Sequence, residues 1–164
     1  MRFIVSGGAP LDSKVSKWFN QIGIHLVQGY GLTETSPVIS AENDNCIKYG
    51  SVGKPMNSVE ILIKNPDSNG IGEIAVKGPN VMLGYYNNET QTNAVLKDGW
   101  FYTGDLGYID KDGFLFITGR KKDLIVLKNG KKVFPEEIEL LINRLDEVEE
   151  SFVYGLPDRN DKND

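Results

Sequence analysis

Three glycine-bearing segments hold residue types suited to chemistry on a phosphorylated ligand: Ser6-Gly7-Gly8-Ala9-Pro10, Gln28-Gly29-Tyr30-Gly31-Leu32-Thr33-Glu34-Thr35 and Trp100-Phe101-Tyr102-Thr103-Gly104-Asp105. Glycine lets the backbone approach a partner closely, and turns rich in it can present amides to an anion. In the second segment the ring of Tyr30, set between glycines, offers a face on which a base can stack. A hydroxyl such as that of Thr33 can bind a phosphate oxygen, and the Glu34 carboxylate can hold Mg²⁺. These are the parts of a nucleotide site. A tight turn of small residues is the competing reading of the first segment, because short glycine motifs match by chance. The second segment is far more specific.

The elements that must position these residues follow from periodicity. Residues 2–5 are a short β-branched and aromatic run that predicts a buried strand entering a turn at Ser6-Gly7-Gly8. Val15, Trp18, Phe19 and Ile22 fall at helical spacing, with Asp12 or Ser13 as cap and Gly23 as stop, so one amphipathic helix is expected. A second strand is expected over 24–27, which puts the glycine-rich segments at strand ends, where α/β sheets bind ligands. After about residue 50 the pattern becomes β-rich: strands over 59–63 and 72–76 alternate around the turn Asn65-Pro66-Asp67-Ser68-Asn69-Gly70. A short helix over 88–96 follows, then a hairpin in which 108–109 and 114–117 flank Asp110-Lys111-Asp112-Gly113. A third section brings an apolar run over 124–127, a turn at Asn129-Gly130, a helix from 135 to 145 opened by Pro135 and Glu136-Glu137, and a strand over 152–154. The fold class read from this order is mixed α/β: the end of an α/β sheet domain (1–49), a β-rich, barrel-like subdomain (50–119) and the start of a small α/β lobe (120–164).

Composition excludes several functions. A chain of 164 residues with 40% hydrophobic content can bury a core. Its formal charge of −5 argues against a general nucleic-acid binder. The single cysteine, Cys46, makes no internal disulfide, and no Cys/His cluster builds a zinc site, which fits a reducing cytoplasm. No stretch approaches the roughly 20 apolar residues of a membrane span. His25, the one histidine, sits in an expected strand, where a structural role outweighs a catalytic one. Asp110 and Asp112 lack the spaced ligands of a calcium loop and read as a hairpin turn. The basic run Arg120, Lys121, Lys122, Lys128, Lys131 and Lys132 reads first as a solvated face, with contact to CoA or pyrophosphate as the alternative.

In their order and spacing, the blocks at 6–11, 30–35, 72–86, 99–107, 113–123 and 130–139 resemble the core motifs of the adenylate-forming superfamily of acyl-CoA synthetases, adenylation domains and luciferases. The wording Tyr30-Gly31-Leu32-Thr33-Glu34-Thr35-Ser36-Pro37 and Gly119-Arg120-Lys121-Lys122-Asp123 is most similar to the long-chain fatty acyl-CoA synthetases. The resemblance implies an acid-thiol ligase that converts a carboxylic acid, expected to be a fatty acid, with ATP and CoA to acyl-CoA, AMP and pyrophosphate. It implies that the backbone of Gly8, Ala9 and Pro10 borders the adenine and acyl pocket, and that Tyr30, carried between Gly29 and Gly31, stacks on adenine. Thr33 would contact the α-phosphate and Glu34 would coordinate Mg²⁺. Asp105 and Arg120 would take the ribose hydroxyls, Ile117 would pack near the base, and Lys122 would be the hinge of a mobile C-terminal lobe. Both reactants are anions, so charge neutralisation and in-line positioning dominate such a reaction and no acid–base triad is needed.

The resemblance also implies parts not found in these residues: an upstream phosphate-binding loop and a catalytic lysine near the C-terminus, for which Gly130-Lys131 lies in the wrong element. The expectation is a piece of a longer parent with its N-terminal part missing, inactive alone; peripheral membrane contact of the parent is compatible with it. The competing class is a non-catalytic nucleotide-binding or interaction module, and within the enzyme class an adenylation domain of another subfamily. A carrier-protein domain downstream would favour the latter. The 164-residue chain alone is expected to show no acid-dependent exchange of pyrophosphate into ATP; measurable exchange contradicts that expectation.

Overall fold

The computed structural model describes residues 4–156. Strand β1 (Ile4–Ser6), helix α1 (Ser13–Gln21) and strand β2 (Leu26–Gly31) follow the expected strand–helix–strand order, but β1 is not the buried strand expected, Val5 being 64% exposed. β1 and β2 are parallel, with Ser6 opposite Gln28, so the Gly7–Gly8 turn leaves the sheet beside Gly29. The Asp12 carboxylate accepts a bond from the Lys14 amide and caps α1. Gly23 adopts φ +83° just past its end. The apolar stripe of α1 behaves differently from its periodicity. Val15, Trp18 and Ile22 are 41, 55 and 52% exposed, while the buried residue is Ser16. Helix and strand meet through small and polar groups, Asn20 donating to the carbonyl oxygens of Ser16 and Leu26.

β2 runs further than its apolar residues predict and takes in Gly29-Tyr30-Gly31, expected as a loop. The reason is the partner strand β3 (Val38–Ala41), which pairs antiparallel with β2 and is followed in the sheet by β4 (Lys54–Pro55). A Cβ on Gly31 would sit 1.8 Å from the Pro37 carbonyl oxygen, and one on Gly29 3.5 Å from that of Ser40. Gly31 lets the returning chain close on Tyr30.

The second sheet has the order β5-β6-β8-β7, with β9 also paired to β8. Its strands are β5 (Glu60–Lys64), β6 (Gly72–Lys77), β7 (Leu96–Lys97), β8 (Trp100–Ile109) and β9 (Leu115–Arg120). Helix α2 (Glu89–Val95) is capped by the Asn88 side chain, which accepts from the Gln91 amide. The β5–β6 connection is held by Asp67, whose carboxylate accepts from Asn69 and Ile71 amides. β6, central between β5 and β8, departs from simple alternation: Ile74, Ala75 and Val76 are all fully buried, as for a strand covered on both faces. The glycine-bearing segment Trp100 to Asp105 lies within the long strand β8. The β8–β9 turn is the expected one, with Asp110 Oδ1 accepting from the Asp112 and Phe114 amides at 2.9 Å. Lys48 reaches it from the first sheet's long loop, its ammonium 2.5 Å from Asp110 Oδ2 and 2.7 Å from Asp112 Oδ2. Between the sheets lies a core of Ile39, Ile74, Val76 and Leu115, each fully buried, with Tyr30, Leu32 and Ile117 packed around it.

The chain divides between Ile117 and Thr118 into two units. In the second, β10 (Ile125–Val126) and β11 (Lys132–Val133) form an antiparallel pair, followed by α3 (Pro135–Ile142). Pro135 opens α3 and Glu136 and Glu137 occupy its first turn, as their charge at the positive helix end favours. The expected strand at 152–154 pairs with no strand among the described residues. Val153 instead donates its amide to Glu139 Oε1 at 2.7 Å, and the Phe152 and Tyr154 rings stack at 5.7 Å. No helix of the described residues is long and apolar enough to cross a membrane.

The Gly31→Ala variant is expected to lose about 3 kcal/mol of stability through the forced clash with Pro37, read as a lower urea midpoint. A change below about 0.5 kcal/mol would show that Gly31 is not constrained as described.

Candidate functional site

The Tyr30 hydroxyl donates a 2.6 Å hydrogen bond to Asp105 Oδ2, joining two motif residues 75 positions apart on two different sheets. Asp105 is 6% exposed, and its placement comes from an irregularity in β8. Glu73 pairs with Leu106 and Ala75 with Tyr102, so Thr103, Gly104 and Asp105 together oppose Ile74. Gly104 takes φ +75° in this bulge, with open space where its Cβ would be, so glycine is required there by the backbone turn. The Thr103 hydroxyl fastens the bulge by donating to the Ile74 carbonyl at 2.9 Å and accepting from the Asp105 amide at 3.1 Å.

Beyond β2 the chain makes a 3-10 turn over Thr33–Thr35. The buried Thr35 hydroxyl organises it, accepting from the Leu32 amide and lying 2.9 and 2.8 Å from the carbonyl oxygens of Leu32 and Pro37. Asn80 adds bonds to the carbonyls of Thr35 and Val38. Thr35 thereby frees the neighbouring Thr33 to face solvent, and Glu34 is half-buried. The Tyr85 hydroxyl donates to Glu34 Oε1 at 2.8 Å, and the Met82 amide donates to the Glu34 carbonyl at 2.8 Å. Burial, and after it the bond to Glu34, pushes the Tyr85 phenol above its ordinary value. Tyr85 lies within the 72–86 motif block, but no local pattern singles it out. Its partner is 51 residues away, and the pairing emerges only in the fold.

The other predicted site residues fall in two groups. Gly8, Ala9 and Pro10 are exposed on the turn after β1, with Gly8 at φ +85°; a Cβ on neighbouring Gly7 would meet the Gly29 carbonyl at 3.3 Å. Ile117 packs on the same apolar cluster as Tyr30. Arg120 and Lys122 belong to the second unit. There the Arg120 amide lies 3.3 Å from Glu136 Oε1, and Lys122 lines a groove of about 430 Å³ with Ile125, Phe152 and Tyr154.

No cluster of three His, Cys, Asp or Glu able to cage a metal occurs among the described residues. Glu34, with one oxygen bound to Tyr85, is a single carboxylate. That donor set fits Mg²⁺, which keeps most of its waters and is commonly held by one or two carboxylates together with substrate phosphates.

A family described as "AMP-binding enzyme" matches residues 1–86, more than half of the chain. The chain belongs to the AMP-binding enzyme family. This AMP-binding chain is 43% identical over 164 residues to a long-chain-fatty-acid–CoA ligase of Yersinia pestis, covering 96% of its own length and 29% of that relative. It therefore spans less than a third of that protein. Its fold matches that of o-succinylbenzoate coenzyme A synthetase from Bacillus subtilis in complex with an acyl-adenylate intermediate, at TM-score 0.91 and 38% identity, over 97% of this chain and 34% of that one. The same Bacillus enzyme in complex with ATP and a magnesium ion matches at TM-score 0.88 and 38% identity, over 96% and 34%. The mixed α/β class read from the sequence is the fold of these AMP-binding relatives.

Because its phenol is raised, Tyr85 is expected to ionise above the ordinary tyrosine value of about 10. The stability it contributes is present below the unfolded value and lost as pH rises through the folded one. An ultraviolet titration should show a late phenolate transition that Tyr85→Phe removes; an unchanged titration curve in that variant contradicts the assignment.

Proposed function

We propose that this chain forms the nucleoside-binding part of an ATP-dependent acid–CoA ligase acting on a fatty acid. The observation that carries the reading is the Tyr30–Asp105 hydrogen bond, which sets an aromatic face beside a buried carboxylate. Such a pair can stack a purine and accept bonds from vicinal ribose hydroxyls. Family membership and the adenylate-bound relative support the reading.

In the proposed reaction a carboxylate oxygen of the acid attacks the α-phosphorus of ATP. The new oxygen–phosphorus bond forms as the bond to pyrophosphate breaks, giving an acyl-adenylate. The CoA thiol, losing its proton, then attacks the acyl carbon and AMP leaves. Tyr30 and Asp105 hold the nucleoside, the Gly8-Ala9-Pro10 backbone borders it, and Thr33 directs its hydroxyl to the α-phosphate. Glu34 is the residue assigned to hold Mg²⁺, whose positive charge offsets the phosphate charge. Arg120 is assigned to the ribose and Lys122 to the hinge, with residues 1–49, 50–119 and 120–164 as the working divisions. The proposed setting is the cytoplasm.

In the complete ligase, Asp105→Asn is expected to weaken AMP binding by roughly tenfold or more, the effect of one lost charged hydrogen bond. Calorimetric titration measures it, and unchanged affinity argues against the ribose assignment. Acids of graded chain length, supplied with ATP and CoA, should give the highest kcat/KM for long chains; preference for a short or aromatic acid would replace the fatty-acid reading.

A further inference from the structure

Glu42, directly after β3, is 5% exposed. Its carboxylate grips two backbone amides from opposite oxygens: Oε2 accepts from Gln28 at 2.9 Å and Oε1 from Lys48 at 2.9 Å, with Ser51 Oγ 3.4 Å from Oε1. The Glu42 amide in turn donates to the Gln28 carbonyl at 2.8 Å. One residue thus holds both backbone polar groups of Gln28, the position that leads into Gly29-Tyr30-Gly31. The loop closes tightly over it: a Cβ on Gly53 would lie 2.3 Å from the Glu42 nitrogen.

Burial pushes the Glu42 carboxyl above the usual carboxylate range, opposed by the bonds from Lys48, Gln28 and Ser51, which pull it down. The raised value means that Glu42 contributes stability fully present below its unfolded value and lost as pH rises through the folded one. Ionised Glu42 is therefore a cost to the fold. A glutamine could not do the same work, because its amide nitrogen would face a backbone N–H donor with donors of its own. The titratable groups around Glu42 are engaged elsewhere or stand apart. Lys48 binds Asp110 and Asp112 through its ammonium, Asp44 lies 3.9 Å from His25 Nδ1, and Lys54 stands over the Phe114 ring. Cys46 and Tyr49 are partly exposed on the same loop, and Tyr30 is bonded to Asp105.

We infer that Glu42 is a positioning residue for the nucleoside site: its ionised carboxylate fixes the β2 backbone so that Tyr30 meets Asp105. The inference rests on reading Tyr30 and Asp105 as that site. The Glu42 carboxylate uses both oxygens on backbone amides, those of Gln28 in β2 and of Lys48 in the loop after β3, which is what a positioning role requires.

The test compares the full chain with its Glu42→Gln variant in AMP affinity, thermal midpoint and the amide signal of Gln28 as pH is lowered from about 8. Glu42→Gln, which leaves one of the two amides without an acceptor, should melt below the wild-type temperature, shift the Gln28 amide signal and bind AMP roughly three- to tenfold more weakly, the part of a charge-assisted hydrogen bond passed on to the ligand. Wild-type affinity should fall to the variant's level as Glu42 takes a proton, in step with the Gln28 amide shift, while the variant shows neither step. Equal AMP affinity in both proteins, or a loss of affinity in the variant with the Gln28 amide signal unmoved, overturns the inference. If the wild type binds no AMP at any pH, the nucleoside reading fails. The Gln28 amide then decides the positioning claim alone: a step coupled to Glu42 supports it, and a flat trace overturns it.

Discussion

A phenol donating to a buried carboxylate is strong only when both groups are held in place, because either one left unpaired away from water is costly. The Tyr30–Asp105 bond meets that condition from both sides. Tyr30 is fixed by a strand that β3 approaches so closely that Gly31 can carry no side chain. Asp105 is fixed by a three-residue bulge in β8 whose Thr103 hydroxyl ties it to β6. The Ile39, Ile74, Val76 and Leu115 cluster joins the sheets that bear the two groups, so the packing of the core and the geometry of the proposed site are one constraint.

Glycine here serves two different physical purposes. At Gly104 the space is open and the backbone turn alone demands it, whereas at Gly31 the φ angle is unremarkable and the neighbouring strand demands it. This difference marks the limit of what the sequence alone reveals. Caps, turns and helices were legible at Asp12, Asn88, Asp67, Asp110 and Pro135, because each depends on a bond or dihedral within a few residues. The glycine segment at 28–31 reads as a loop because its strand character is imposed by a partner strand that its own residues do not reveal. The motif residues could be recognised by type and spacing. Tyr85 and Glu42 could not, since the first owes its place to Glu34 and the second to Gln28. The stripe on α1 misled in the opposite way: helical spacing fixes which residues share a face, not which face is covered.

Polar groups recur where an apolar core would be the simpler solution. Thr35, Ser40, Glu42, Ser51 and Asp105 are all buried beside or between the strands of the proposed site. Each hydroxyl among them satisfies backbone groups that irregular chain leaves open, as Thr35 does for Leu32 and Ser40 for Val52. Glu42 belongs to the same scheme, its carboxylate accepting from the Gln28 and Lys48 amides, an arrangement expected where a site must be held ready for its ligand.

The measurement that bears most directly on this account is the pattern of intermolecular nuclear Overhauser effects when AMP is added to the labelled protein. The account predicts contacts from the adenine protons to the Tyr30 ring and from the ribose protons to residues flanking Asp105. AMP bound with its adenine against another surface, and with no contact to the Tyr30 ring, would contradict it.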